Sequence, residues 1–228
     1  MNEERNAPAK EVLNFIAGLR AKTRGMTLAT KLPVRPADLA RRALPSEHPI
    51  DLFVASAAKI NTRAYVTDAA HLPDVLLDVL KQNALKSLLL APLDADLLTD
   101  EQAADLRKRL SEHGIEICDA QDDETLFRVD AALTGVEAAV AEYGSIACES
   151  GAGQARGASL IPPTHIALVP ASRIVPDLCD LFDDARAGTV PAGISIITGP
   201  SKTADIEGVL VNGVHGPKTV HAICVRDA

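Results

Sequence analysis

An α/β fold built on a mostly parallel sheet is predicted by three observations. From residue 50 onward, apolar runs of four to six residues alternate with longer amphipathic stretches. Gly, Pro and Asp punctuate the boundaries between them. Hydrophobic residues make up 47% of the chain and charged residues 24%, which is the balance of a chain that buries a core. Continuous apolar runs mark strands buried on both faces, and parallel strands need helical crossovers, so the sheet is expected to be covered on both sides.

The elements follow in order. Pro8 suits a first-turn position, and Val12, Phe15, Ile16 and Leu19 form one stripe, so residues 7–22 are expected to be a helix. Pro33, Pro36, Pro45 and Pro49 make residues 24–49 an irregular arm, with one short helix near 37–43. Residues 1–49 are thus a helix plus an arm that is a connector, a lid or an interaction segment, and residues 50–228 an α/β domain. Helix 50–59 precedes a strand near 64–67, and helix 70–82 precedes a strand at 87–91. Helix 100–112 precedes a strand at 115–118. Further strands are expected at 129–133, 145–148, 165–169, 194–198 and 220–225, with a helix at 175–187.

Composition excludes several functions. Twenty-three Lys and Arg against 31 Asp and Glu give a net charge of −8, which repels phosphate backbones and argues against nucleic-acid binding. Two Tyr, four Phe and no Trp leave few rings for stacking on bases or flavins. The cysteines at 118, 148, 179 and 224 form no Cys-x-x-Cys pair, so neither a zinc site nor a cluster is expected, and the thiols read as buried and free in a reducing compartment. The first residues lack the pattern of a signal peptide, and Leu88–Ala91 is far shorter than a membrane span. A cytoplasmic protein without membrane contact and without a cofactor is expected.

Two Gly-rich stretches invite nucleotide readings. Gly151-Ala152-Gly153-Gln154-Ala155-Arg156 fails the dinucleotide fingerprint, because Arg156 stands where helix and strand must approach closely; Arg156 is instead a candidate anion ligand. Thr198-Gly199-Pro200-Ser201-Lys202-Thr203 ends like a phosphate loop, but Ser201 and Ile196 stand where that loop needs Gly. After a strand, a Gly-Pro turn still exposes backbone N–H groups. Ser201, Lys202 and Thr203 add side-chain donors, and a helix is expected to follow through Asp205 and Glu207. This is either an anion site or a turn with a helix cap.

Histidines give no metal site, since His215 and His221, on one strand, would lie about 20 Å apart. His165 opens an apolar run and either packs or faces a cleft. His215 and Gly216 lie in a turn-prone loop suited to hydrogen bonding. Glu142, just before Gly144 and Ser145, is a candidate nucleophile or base, or simply a helix end. Sheets of this kind bind ligands at the carboxyl ends of their strands, and Glu142, Ser201, Lys202 and His215 are expected to meet there.

Five motifs in this order are recognisable: 141–145, 159–166, 172–176, 198–207 and 213–217. The sequence resembles the LUD-domain family, strongly over about residues 134–226 and in layout over 50–133. The resemblance implies a three-layer α/β sandwich like that of the sugar-phosphate isomerase and CoA-transferase superfamily. It also implies a bacterial subunit or accessory factor in the oxidation of L-lactate to pyruvate, with no redox centre of its own and with iron–sulfur proteins as partners. Such a factor would bind a small carboxylate or phosphate. The alternatives are a free-standing CoA-transferase or isomerase-like enzyme, with Glu142 as nucleophile or base and Lys202 or Arg156 holding the anion, and a pure interaction module.

Overall fold

In a computed structural model of the chain, the described residues are 48–93, 97–151, 154–187, 193–206 and 209–226, together with positions 14, 15, 17, 18, 21 and 22. The chain divides into two units, Met1–Ala40 and Arg41–Ala228. In the first, Asn14, Phe15, Ala17, Gly18, Ala21 and Lys22 are helical, within the span expected to be a helix. The arm up to residue 47 lies outside the described residues.

The second unit runs α1 (Pro49–Lys59), β1 (Thr62–Asp68), α2 (Leu72–Gln82), β2 (Ser87–Leu90), α3 (Asp100–Glu112) and β3 (Glu116–Cys118). It continues α4 (Asp123–Arg128), β4 (Ala131–Gly135), β5 (Ala138–Val140), β6 (Ser145–Ser150), β7 (Thr164–Pro170) and β8 (Ile174–Val175). It closes with α5 (Leu178–Ala187), β9 (Gly193–Ile197), β10 (Lys202–Ile206), β11 (Val209–Asn212) and β12 (Thr219–Arg226). Local chemistry sets the ends. Thr99 and Gln102 close a reciprocal capping box on α3, and Asp122 caps α4 by accepting the Thr125 N–H. α5 starts at residue 178, later than expected, because Asp177 accepts the N–H groups of Cys179 and Asp180, while Ile174 and Val175 pair with β5.

Six strands form the expected parallel sheet, in the order β1-β12-β7-β4-β2-β3. Its apolar runs serve two faces. On one, Leu88, Leu133, Ile166, Leu168 and Ile223 pack with Leu76 and Leu80 of α2 and Leu106 and Leu110 of α3. On the other, Ala167, Val169, Ala222 and Cys224 meet Phe53 and Ala57 of α1 and residues Ala139, Ile146 and Cys148 of a second sheet. That four-stranded mixed sheet, β8-β5-β6-β9, was not expected; two of its strands are only two and three residues long. The helix expected through Asp205 is corrected to a strand, since β10 and β11 pair as an antiparallel hairpin. β-Branched Thr203, Ile206, Val209 and Val211 favour that pairing over a helix.

Two histidines sit inside the main sheet. His165 and His221 are wholly buried. The His165 Nε2 lies 2.9 Å from the Thr134 hydroxyl. The His221 Nδ1 lies 3.3 Å from the Tyr65 hydroxyl, and the two rings stack 5.9 Å apart. Burial holds both imidazoles down to about 4, helped by His221 in the first case and by Arg63 in the second. Cys148 and Cys224 are likewise pushed up to about 12 by burial, so both thiols are inert at neutral pH.

Acid should therefore weaken the fold before its carboxylates titrate. Unfolded histidine titrates near 6.5, so between about 4 and 6.5 the unfolded chain binds more protons than the folded one. Stability rises with pH across that window and is lost as pH falls through it. Each imidazole contributes a slope of up to about 1.4 kcal/mol per pH unit. Urea midpoints measured from pH 7 down to pH 4.5 should fall, and His165→Gln should flatten the decline. A midpoint constant over that range would contradict the neutral buried histidines.

Candidate functional site

The last turn of α1 is held between two loops at very short range. Gly144, in the β5–β6 turn, has φ +66°, and a Cβ built there would stand 2.2 Å from the Ala57 nitrogen. Gly199, after β9, has φ +84°, and its Cβ would stand 2.3 Å from the Ile60 carbonyl oxygen. Only glycine meets both demands at these positions. Ser145 and Thr198 join the same two loops through hydroxyls 2.9 Å apart. Asn61, at φ 62°, then turns the chain from the helix directly into β1, in a conformation that Asn tolerates better than most residues.

This arrangement sets the start of β1 beside the loop that follows Gly199. A cleft of about 700 Å³ opens there, lined by Val54 and Ala58 of α1, Asn61, residues 62–65 of β1, Pro200, Lys202, Lys218, Thr219 and Val220. Arg63, Lys202 and Lys218 bring three cations to it from separate segments, and among the described residues no acidic one lines it. None of the three is in an ion pair among the described residues; the Arg63 guanidinium donates to the Asn83 side-chain oxygen at 3.2 Å. Thr62 is 4% exposed, and its hydroxyl has no partner among the described residues. The chemistry offered is that of an anion receptor.

The expected site residues divide accordingly. Pro200 and Lys202 line the cleft. Gly199 positions the loop. Ser201 N–H donates to the Pro217 oxygen and Ser201 oxygen accepts from Gly213 N–H, both at 2.9 Å, which joins the 199–203 and 213–217 motifs. That bond also uses a backbone donor expected to cradle the ligand, so recognition passes to side chains. Gly216 packs on Ser201. Thr203 pairs with Val211, and Asp205 lies within β10. His215 is exposed in the adjoining loop and does not line the cleft.

Other expected residues stand elsewhere. Half-buried Glu142 donates its N–H to the Pro176 oxygen and is not in the cleft wall. Gly144 and Ser145 act through the loop contacts just described. Arg156 is exposed on a short 3-10 turn (Arg156–Ser159), next to Gly157, which packs on Leu126. His165 lies in the sheet interior. The expected placement at carboxyl ends is corrected: Thr62, Arg63, Thr219 and Val220 open their strands, so the cleft lies at the amino ends of β1 and β12. The Gly199 loop does leave the carboxyl end of a strand, but that strand, β9, belongs to the second sheet. Arg63 and Lys218 were missed. Lys218 follows the Gly213–Pro217 motif directly, whereas an isolated Arg in a strand carries no local signal.

Among the described residues no three His, Cys, Asp or Glu gather to hold a metal ion, and no helix is long and apolar enough to cross a membrane.

The LUD domain pattern matches residues 50–225. The chain belongs to the LUD-domain family. Lactate utilization protein C of Anoxybacillus flavithermus is 30% identical over 78% of this chain and 80% of its own. The protein of the same name from Bacillus velezensis is 32% identical over 74% of each chain. Its counterpart in Bacillus subtilis reaches 41% identity, over 46% of this chain and 47% of its own. A crystal structure of a DUF162 family protein from Deinococcus radiodurans superposes with a TM-score of 0.57 at 25% identity, over 80% of this chain and 99% of that one.

The clamp on α1 makes a direct prediction. Gly199→Ala should lower stability by about 1–3 kcal/mol, since it combines a strained φ with a clash against backbone. Gly151→Ala, whose added Cβ would meet nothing within 4 Å, is the control. Equal melting temperatures for the two variants would show that the Gly199 contact is not close.

Proposed function

We propose that this LUD-domain protein serves in lactate utilization as a component that holds a small carboxylate or phosphate and carries no redox centre of its own. The relatives' names support the process, and the cleft supports the chemistry. The observation that carries the reading is the gathering of Arg63, Lys202 and Lys218 around one cleft with no acidic residue in its wall among the described residues. In a chain of net charge −8, such a cluster focuses anions to one place against the average field. A carboxylate or phosphate entering it exchanges water for charge-assisted hydrogen bonds, which are about twice as strong as neutral ones.

L-Lactate and pyruvate each present a carboxylate that Lys202 and Arg63 can hold. Oxidation of the first to the second releases two electrons and two protons. In this reading the electrons pass to iron–sulfur partner proteins in the cytoplasm, and the present chain acts on the acid or on the assembly. The 50–228 region is the working domain, with a fold related to the CoA-transferase superfamily. A free-standing enzyme using Glu142 is the weaker reading, because Glu142 stands outside the cleft wall.

Growth on L-lactate separates these readings. In a lactate-growing host deleted for its own gene of this kind, the wild-type chain should restore growth on L-lactate. Lys202→Ala should fail to restore it, while melting within about 0.5 kcal/mol of wild type, as exposed substitutions usually do. Glu142→Gln should restore it. Growth lost with Glu142→Gln and kept with Lys202→Ala would transfer the assignment to the enzyme reading. Full restoration by Lys202→Ala would remove the cleft from the function.

A further inference from the structure

We infer that the cleft at the amino end of β1 takes a ligand bearing a phosphate and at least two negative charges, with an organic group attached. This rests on the reading of the cleft as an anion site and narrows its ligand. Size is the first constraint. A volume of about 700 Å³ lies in the range of sites that enclose drug-sized ligands, and a three-carbon acid fills a small part of it.

Charge points further. One carboxylate compensates one of the three cations, and the remaining two would share the cleft with no acidic residue lining it among the described residues. Like charges gathered without a partner are unfavourable until an anion joins them. Geometry favours phosphate over a polycarboxylate. Arg63 comes from β1, Lys202 from the first residue of β10 and Lys218 from the approach to β12, so three separate segments supply the cations. A phosphate offers three oxygens in a tetrahedral spread, whereas a carboxylate offers two in one plane.

The rest of the wall points the same way. Val54, Ala58 and Val220 add apolar surface, and the half-buried Tyr65 ring, stacked on His221, adds a rigid face. Those groups do nothing for inorganic phosphate. They suit an organic group carried by it.

Calorimetric titration of the full chain with L-lactate, citrate, pyrophosphate and ADP tests this. Pyrophosphate should bind at least tenfold more tightly than L-lactate or citrate, and ADP more tightly than pyrophosphate. Arg63→Ala, Lys202→Ala and Lys218→Ala should each weaken pyrophosphate binding roughly ten- to hundredfold, with melting curves unchanged. Binding should also weaken with added salt. L-Lactate or citrate binding as tightly as pyrophosphate would overturn the inference and leave the anion site standing. ADP no tighter than pyrophosphate would overturn the role of the organic group. Absence of binding by all four would overturn both this inference and the anion reading beneath it.

Discussion

The close approach of two glycines to the last turn of α1 is the contact on which the site depends. Gly144 and Gly199 let the backbones of two loops come against residues 56–60, where any side chain would collide with main-chain atoms. The Ser145–Thr198 hydroxyl pair joins those loops to each other. With the end of α1 held, Asn61 can turn directly into β1, and the amino end of that edge strand comes to lie beside Pro200 and Lys202. The cleft is thus a product of backbone packing. Its charges are carried by side chains that the packing merely delivers.

Behind the cleft, the buried histidines and thiols are uncharged at neutral pH. His165 and His221 are buried as neutral rings, and the buried thiols Cys148 and Cys224 remain protonated. A low-dielectric interior strengthens whatever electrostatics act at its rim. Arg63 illustrates the coupling, since its charge helps to keep His221 neutral. His221 in turn supports the Tyr65 ring that lines the cleft. An anion bound near Arg63 would therefore be felt one strand further in, at β12.

Much of this was legible in the sequence because it rests on local pattern. Helix 100–112 is found at those residues, where Thr99 and Gln102 cap a charged stretch that buries Leu106 and Leu110. The parallel sheet followed from runs such as Leu88-Leu89-Leu90, every residue of which is buried. Asp205 and Glu207 misled, because acidic residues after a Gly-Pro turn resemble the first turn of a helix, whereas the β-branched residues around them decide for a hairpin. The 198–203 and 213–217 motifs, which the sequence singles out, do meet. Arg63, which lines the same cleft as Lys202, was not visible, since its place comes from a sheet edge formed by residues about 150 positions apart. The amino-end location was hidden for the same reason: a strand's place in one sheet or another is a tertiary fact.

The central claim is that Arg63, Lys202 and Lys218 act together on one anion. Acetylation of the native protein, read by mass spectrometry lysine by lysine with and without saturating pyrophosphate, tests it most directly. Lys202 and Lys218 should be protected together by several-fold, while exposed Lys81 and Lys108 react at unchanged rates. Protection of only one of the pair, or protection spread over Lys81 and Lys108 as well, would contradict a shared cationic site.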